Sequence, residues 1–201
     1  MLTFERRQIT DQIDPLPKRL RVAFAVACAQ RLLPCYIRTS ADNPTGNPKA
    51  ATRIVCELWN AVERNTLDPE ELQRALVACD AIIPDYEPKY FDGLEYAEDA
   101  IVSLSHALRA ALGGESDEAM CAAERAYNAL DEYINQKFRI DINAPGAQSR
   151  IDSFPIIQAE LARQQADLAD LRAAAKNPGS EAAVIARIKH RAEHDAASFF
   201  G

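Results

Sequence analysis

The sequence is poor in the residues that most cofactor motifs require. Its 201 residues include seven glycines, three histidines and five cysteines, and no two cysteines form a C-x-x-C pair. It contains neither a Walker loop nor a G-x-G-x-x-G fingerprint, which excludes the nucleotide sites that those glycine-rich loops build. No histidine has a glutamate three positions before it, which excludes a di-iron bundle of the Glu-x-x-His type. We therefore predict no cofactor.

The chain also lacks an excess of positive charge and a long hydrophobic run. Its formal net charge is -7, and no segment interleaves basic with aromatic residues, so it lacks the footprint of a nucleic-acid-binding protein. No apolar run approaches the roughly 20 residues that a membrane-spanning helix needs. We expect neither nucleic acid nor a membrane as a partner.

The cysteines indicate a reducing compartment. They form an odd set, and four of the five lie in apolar helical runs, where a free thiol packs as a small hydrophobic group. The run VAFAVACA follows basic residues, as in a signal peptide, but it is short and acidic residues precede it. We expect a cytoplasmic protein.

Apolar residues recur at helical spacing along most of the chain, and no segment alternates apolar with polar residues as a strand would. We predict an all-α fold, a single domain over residues 1–201 in which 180–201 is a helix that could be appended to the rest. Pro34 is expected to end the first helix, and Asp68 to cap the third. About seven helices are predicted: at residues 17–33 and 49–65, from residue 69 within the stretch 67–82, at 93–112, 116–138 and 157–175, and at 180–199.

Two further patterns resemble reactive sites. The sequence HRAEH, from His190 to His194, matches the H-x-x-E-H pattern of zinc peptidases, but a third ligand is needed downstream and only seven residues remain. Cys28 and Cys35 lie on either side of Arg31. Cys28 is inside the first predicted helix, whereas Cys35 follows its predicted end at Pro34, so we expect the two thiols to share no helical face. We predict no metal site and no redox pair, and we assign no role to the two histidines.

Charge and aromatic residues are concentrated in one part of the chain. Residues 1–38 carry a net charge of +4, whereas residues 57–99 carry -9. Aromatic anchors inside an acidic field are typical of an interface with a basic protein, although the aromatics could instead pack inward and leave the acids solvated. The predicted interface consists of Asp85, Tyr86, Glu87, Tyr90, Phe91, Asp92, Glu95, Glu98 and Asp99.

Three stretches together suggest a family. CAQRLLPCY, TRIVCELWNAVE and GLEYAEDAIVSLSHALRAALGGES resemble, in order and spacing, the YjaG-like family of small all-helical bacterial proteins of unknown function. The resemblance covers about residues 16–174. It departs from the family at Cys35, where asparagine is expected, and in a final helix that extends past the family's usual end. It implies a helical fold and supplies no catalytic residues.

Two functions fit these observations. The first is a non-enzymatic protein that binds a basic protein, such as an immunity protein or antitoxin that neutralises a basic toxin through its acidic surface. The alternative is a small-ligand-binding protein or an enzyme with a site between helices near Arg31, Tyr36 and His106. A single sequence gives no prediction of the oligomeric state.

Overall fold

The computed structural model describes residues 1–40, 46–84 and 94–196, with the side chains of residues 94 and 95 left out. Over these ranges the chain forms α-helices, one short 3-10 turn (Pro178–Ser180) and no strand, which confirms the predicted all-α fold. The helices are α1 (Arg6–Ile13), α2 (Lys18–Ser40), α3 (Pro48–Arg64), α4 (Pro69–Asp80), α5 (Leu94–Gly113), α6 (Ser116–Phe138), α7 (Ala147–Asp152), α8 (Pro155–Ala175) and α9 (Glu181–Ala196).

Helix α2 is the core of the bundle. It packs against α3, α5, α6, α8 and α9, and buried residues occur all round its circumference. By length and apolarity α2 would suffice to cross a membrane, but 78% of its most apolar window is buried within the protein. A helix that is apolar on all sides is expected at the centre of a bundle, where every face meets another helix.

The basic residues at the start of α2 bind the ends of other helices. Arg19 donates hydrogen bonds to the carbonyl oxygens of Val62 and Glu63, both at 2.7 Å, at the end of α3. Arg21 donates to the carbonyl oxygen of Gly114, at 2.6 Å, just past the end of α5. Carbonyls at the C-terminal end of a helix lack the amide partner four residues on that the helix interior provides, and they lie at the negative end of the helix dipole. Two of the basic residues of the N-terminal segment are therefore engaged in hydrogen bonds within the fold.

Helix α2 does not end at Pro34, so this prediction was wrong. The helix continues two turns further, to Ser40, although a proline in a helix interior removes a hydrogen bond and costs about 3 kcal/mol. Tyr36, which follows Pro34, is fully buried, and its hydroxyl donates to the carbonyl of Ile82 and accepts from the amide of Asn47, both at 2.9 Å. This tertiary packing offsets the local cost.

Two described helices were not predicted. Helix α1 has eight residues and buries two of them, Ile9 and Ile13. Helix α7 has six residues and lies between the predicted helices at 116–138 and 157–175. Both are too short for a periodic pattern to emerge from the sequence.

Other helix boundaries agree with the sequence analysis. A carboxylate oxygen of Asp68 accepts a hydrogen bond from the amide of Glu71 at 2.9 Å, as an N-cap does. Gly114 adopts a φ of 80° directly after α5, the left-handed conformation that favours glycine at a helix end. Helix α6 spans Ser116–Phe138, as predicted.

Replacing Pro34 with alanine should stabilise the protein. Pro34→Ala would supply the amide hydrogen that position 34 lacks, and we expect the free energy of unfolding to rise by about 1–3 kcal/mol. Urea denaturation followed by circular dichroism measures this change. Pro69→Ala is the matched control, because Pro69 occupies the first turn of α4, where no hydrogen bond is lost. A Pro34→Ala protein less stable than the wild type would contradict this account.

Candidate functional site

Most of the predicted acidic interface lies outside the described residues. This applies to Asp85, Tyr86, Glu87, Tyr90, Phe91 and Asp92, and to the side chain of Glu95. The two remaining members, Glu98 and Asp99, lie in the second turn of α5. They are the part of the predicted interface from which a site can be built.

Glu98 and Asp99 line a cleft between α5 and α6. The cleft has a volume of about 390 Å³, and α6 contributes its other walls. The residues of α6 that line it are Arg125, Asn128, Asp131 and Glu132. Because Asn128 lies three residues after Arg125, and three and four residues before Asp131 and Glu132, the four positions lie on one face of the helix. Asp131 and Glu132 were not selected from the sequence, since nothing local indicates that α6 faces the start of α5.

The cleft carries more negative than positive charge. Four carboxylates line it, and the arginine among its lining residues is Arg125, whose guanidinium donates to Asp99 at 2.9 Å. Asp99 is only 8% exposed. The pKa of its carboxyl group is raised to about 6, because burial, with a smaller contribution from Glu98 and Glu132, outweighs the opposing effect of Arg125. A cation that entered the cleft would reduce this unfavourable charge.

One wall of the cleft is held in place by hydrogen bonds. Asp131 accepts from the side-chain amide of Asn135 at 2.9 Å and from that of Gln148, on α7, at 2.8 Å. The rings of Tyr96 and Tyr133 meet edge to face between α5 and α6, with centroids 6.1 Å apart. The carboxylates are therefore presented from packed helices, which reduces the ordering cost of binding.

Arg31, the first member of the alternative site, is bound within the core. It is 1% exposed, and its guanidinium donates to both carboxylate oxygens of Glu160 and to one oxygen of Asp167, each at 2.9 Å. Burial opposes the charge, but attraction to these carboxylates outweighs it and raises the pKa of Arg31. This geometry does not support a ligand site at Arg31.

The ion pairs of Arg31 extend to the last helix. Asp167 also accepts from Arg191 of α9, which in addition donates to Asp170 at 3.1 Å. Gln164 donates to Glu160 at 2.9 Å. The network joins α2, α8 and α9, and its buried carboxylates are paired with arginines, as buried charges must be to be tolerated.

His106 and its neighbouring serines have separate partners. Nδ1 of His106 lies 2.7 Å from a carboxylate oxygen of Glu118. Ser103 donates to the backbone carbonyl of Ala122, and Ser105 donates to Asp80. These contacts are those of polar residues at the edge of a core. The structure does not bring His106 together with Arg31 or with Tyr36, whose hydroxyl is engaged at the end of α4.

Cys28 and Cys35 do share a helical face, because α2 continues through Pro34. Our expectation to the contrary was wrong. Seven residues along a helix still separate them by about 10 Å, which is too far for a disulfide. Burial raises the pKa of both thiols, that of Cys35 to about 12, so both are uncharged at neutral pH. Across the described part of the chain, no three His, Cys, Asp or Glu side chains are grouped as metal ligands would be.

Comparisons with known proteins identify relatives by family and by fold. The profile of a family described as "Protein of unknown function (DUF416)" matches residues 8–201. This range includes the last helix, which we had expected to extend past the family's end. A crystal structure of a DUF416 family protein from Shewanella baltica OS155 has a TM-score of 0.80, with 19% identity, over 92% of this chain and 93% of that one. No curated protein matches the sequence significantly. The YjaG-like designation stays a prediction.

Removing Arg31 should destabilise the protein strongly. Arg31→Met leaves Glu160 buried without its cation, and we expect a loss of about 3–5 kcal/mol in the free energy of unfolding, measured by urea denaturation. Replacing Arg31, Glu160 and Asp167 together with apolar residues should recover most of that loss. The control is Arg53→Met, which removes an exposed pair worth under about 1 kcal/mol. Equal losses in Arg31→Met and Arg53→Met would contradict this interpretation.

The carboxylate of Asp99 should reduce stability at neutral pH. Because its pKa is higher in the folded than in the unfolded chain, the folded state binds more protons between about pH 4 and 6, and stability falls as pH rises through that range. Asp99→Asn should flatten this pH dependence and add about 1–2 kcal/mol near pH 7. Urea denaturation across this pH range tests it, with Asp14→Asn, at an exposed aspartate away from the cleft, as the control. An Asp99→Asn protein less stable than the wild type at neutral pH would refute it.

Proposed function

Because the chain belongs to the DUF416 family, whose function is unknown, we propose its function from the geometry of its own residues. We propose that the protein binds a basic partner protein and that a lysine or arginine of that partner enters the cleft between α5 and α6. The observation that carries the proposal is the excess of carboxylates around the buried Asp99. Functional sites often reduce the stability of the fold that carries them.

The dimensions and chemistry of the cleft suit a cationic side chain. A volume of about 390 Å³ exceeds that of a lysine or arginine head group and stem. Asp131, which is fixed by Asn135 and Gln148, lies across from Glu98 and Asp99 on the other helix. A cation placed among them would make charge-assisted hydrogen bonds and would lower the pKa of Asp99.

The surrounding sequence favours fast capture of a basic partner. The acidic residues at positions 85, 87, 92 and 95 directly precede Glu98, and residues 57–99 carry a net charge of -9. An electrostatic field of one sign raises the rate of association with a partner of opposite charge. Salt screens the field and reduces this increase in rate. Binding should therefore be steeply salt-dependent.

Within this class we propose an immunity protein or antitoxin that acts in the cytoplasm. A toxin that attacks nucleic acid needs a positive surface to bind phosphate. An acidic protein could cover that surface and block it. The five free cysteines support a reducing compartment.

Neutralising the cleft should abolish capture of the partner. The test compares a Glu98→Gln, Asp131→Asn, Glu132→Gln triple variant with the wild type as bait in lysate of the native cell, at low and high salt, with mass spectrometry to identify retained proteins. We expect a basic protein that the wild type retains at low salt and the triple variant loses.

The control variant changes the same number of charges elsewhere. Asp11→Asn, Asp14→Asn and Glu193→Gln alter exposed acids away from the cleft, and this protein should still retain the partner. Equal retention by the cleft variant, or no basic protein retained at low salt, would refute the proposal.

A further inference from the structure

A short segment, residues 1–5, lies against α6 and α8 before the chain enters α1. Glu5 has extended backbone angles, with a φ of -115° and a ψ of 96°. The side chains of Leu2 and Phe4 are partly buried and pack against the core. Those of Thr3 and Glu5 are exposed. Successive side chains of an extended chain point in opposite directions. The alternation therefore indicates that the segment is bound through every second residue.

The side-chain amide of Gln158, on α8, binds the backbone of this segment. Its Oε1 accepts a hydrogen bond from the amide of Leu2 at 2.8 Å, and its Nε2 donates to the carbonyl of the same residue at 2.7 Å. A neighbouring strand makes the same pair of bonds to an extended residue. Main-chain bonds of this kind hold a peptide whatever its sequence, and the contacts of its alternate side chains give selectivity.

The side chains of the segment have matching partners on α6. The ring of Phe4 stacks on that of Tyr127, with centroids 5.0 Å apart and planes inclined by 19°. Arg6, which opens α1, pairs with Glu124. We call the surface formed by Glu124, Tyr127 and Gln158 the peptide site. The residues that it holds are aliphatic, aromatic and basic, at positions two apart along the sequence.

The peptide site is held in shape by contacts that do not involve the segment. The hydroxyl of Tyr127 donates to Asp152 and accepts from Gln148, both at 2.7 Å. Nε2 of Gln158 also donates to the backbone carbonyl of Asp152 at 2.8 Å. Gln148 and Asp152 belong to α7. A site that is ordered before its ligand arrives binds with a smaller entropic cost.

The segment itself is only lightly covered. Met1 is 74% exposed, and a segment with few buried apolar contacts opens at lower cost than the core does. We propose that residues 1–5 are an exchangeable ligand of the peptide site, and that a partner protein binds there through an extended segment of the same pattern. That pattern is an aliphatic residue, an aromatic residue two positions later and a basic residue after them. The peptide site shares no residue with the lining of the α5/α6 cleft, so this proposal goes beyond the one above.

The test measures binding of a fluorescein-labelled peptide that copies residues 1–8, in competition with the chain's own segment. Leu2→Ala with Phe4→Ala, made in the full chain, removes the side chains that hold that segment. Fluorescence anisotropy should show that this double variant binds the peptide at least ~10-fold more tightly than the wild type, because a tethered competitor acts at roughly millimolar effective concentration. A peptide carrying Leu2→Ser and Phe4→Ser should bind the double variant at least ~10-fold more weakly.

A matched pair of variants places the peptide on the site. Added to the double variant, Gln158→Leu should weaken peptide binding at least ~10-fold, because the main-chain hydrogen bonds are lost. Gln165→Leu, at an exposed position of the same helix, should have no effect. Circular dichroism checks folding, and Phe4→Ala alone replaces the double variant if its helix content falls. Equal binding by the two glutamine variants, or no peptide binding to the double variant, would overturn the proposal.

Two further outcomes would assign another site or another occupant. The peptide carries basic residues, so it could enter the α5/α6 cleft instead. If Glu98→Gln with Glu132→Gln abolished its binding and Gln158→Leu did not, the peptide-site proposal would fall. If Gln158→Leu weakened binding and the cleft variant did not, the peptide site would be supported, whatever the fate of the cleft proposal. A wild-type dimer in analytical ultracentrifugation that dissociates in the double variant would identify a second copy as the occupant and overturn the assignment to a partner protein.

Discussion

The buried arginine of α2 is the interaction on which the arrangement of the helices depends. Arg31 is a full charge in the apolar middle of a core helix, and it is neutralised by Glu160 and Asp167 of α8. Asp167 in turn accepts a hydrogen bond from Arg191 of α9. Apolar packing alone would tolerate α8 sliding along α2, whereas a buried ion pair is strongly unfavourable when misaligned. The network therefore fixes the register of three helices more than it adds to their stability.

The cleft between α5 and α6 depends on this framework. Arg19 and Arg21, at the other end of α2, bind the ends of α3 and α5 and so position both helices relative to the core. Helix α5 then presents Asp99 to α6. One central helix thus determines the geometry of the polar cleft, because the cleft is built on a helix that it anchors.

The sequence predicted what local chemistry controls. Asp68 and Gly114 mark the ends of helices through the hydrogen bonds and φ values that they supply, and apolar periodicity predicted the longer helices. The continuation of α2 past Pro34 could not be predicted, because it is stabilised by hydrogen bonds from Tyr36 to Ile82 and Asn47, which are distant in the sequence. The same holds for the site. Glu98 and Asp99 were selected from an acidic run, but Asp131 and Glu132 join them only through the pairing of two helices.

Pro34 also affects how α2 moves. Pro34 has no amide hydrogen to donate to the carbonyl of Gln30. The last two turns of α2 are therefore joined to the rest of the helix by one backbone hydrogen bond fewer. Such a position lets the end of a helix open without global unfolding, and its amide hydrogens should exchange with solvent sooner than those of the first four turns. Tyr36 lies in this segment, and its hydroxyl is hydrogen-bonded to Asn47, at the start of α3, and to Ile82, beyond the end of α4. Each opening would release both ends of the α3–α4 hairpin from the core together.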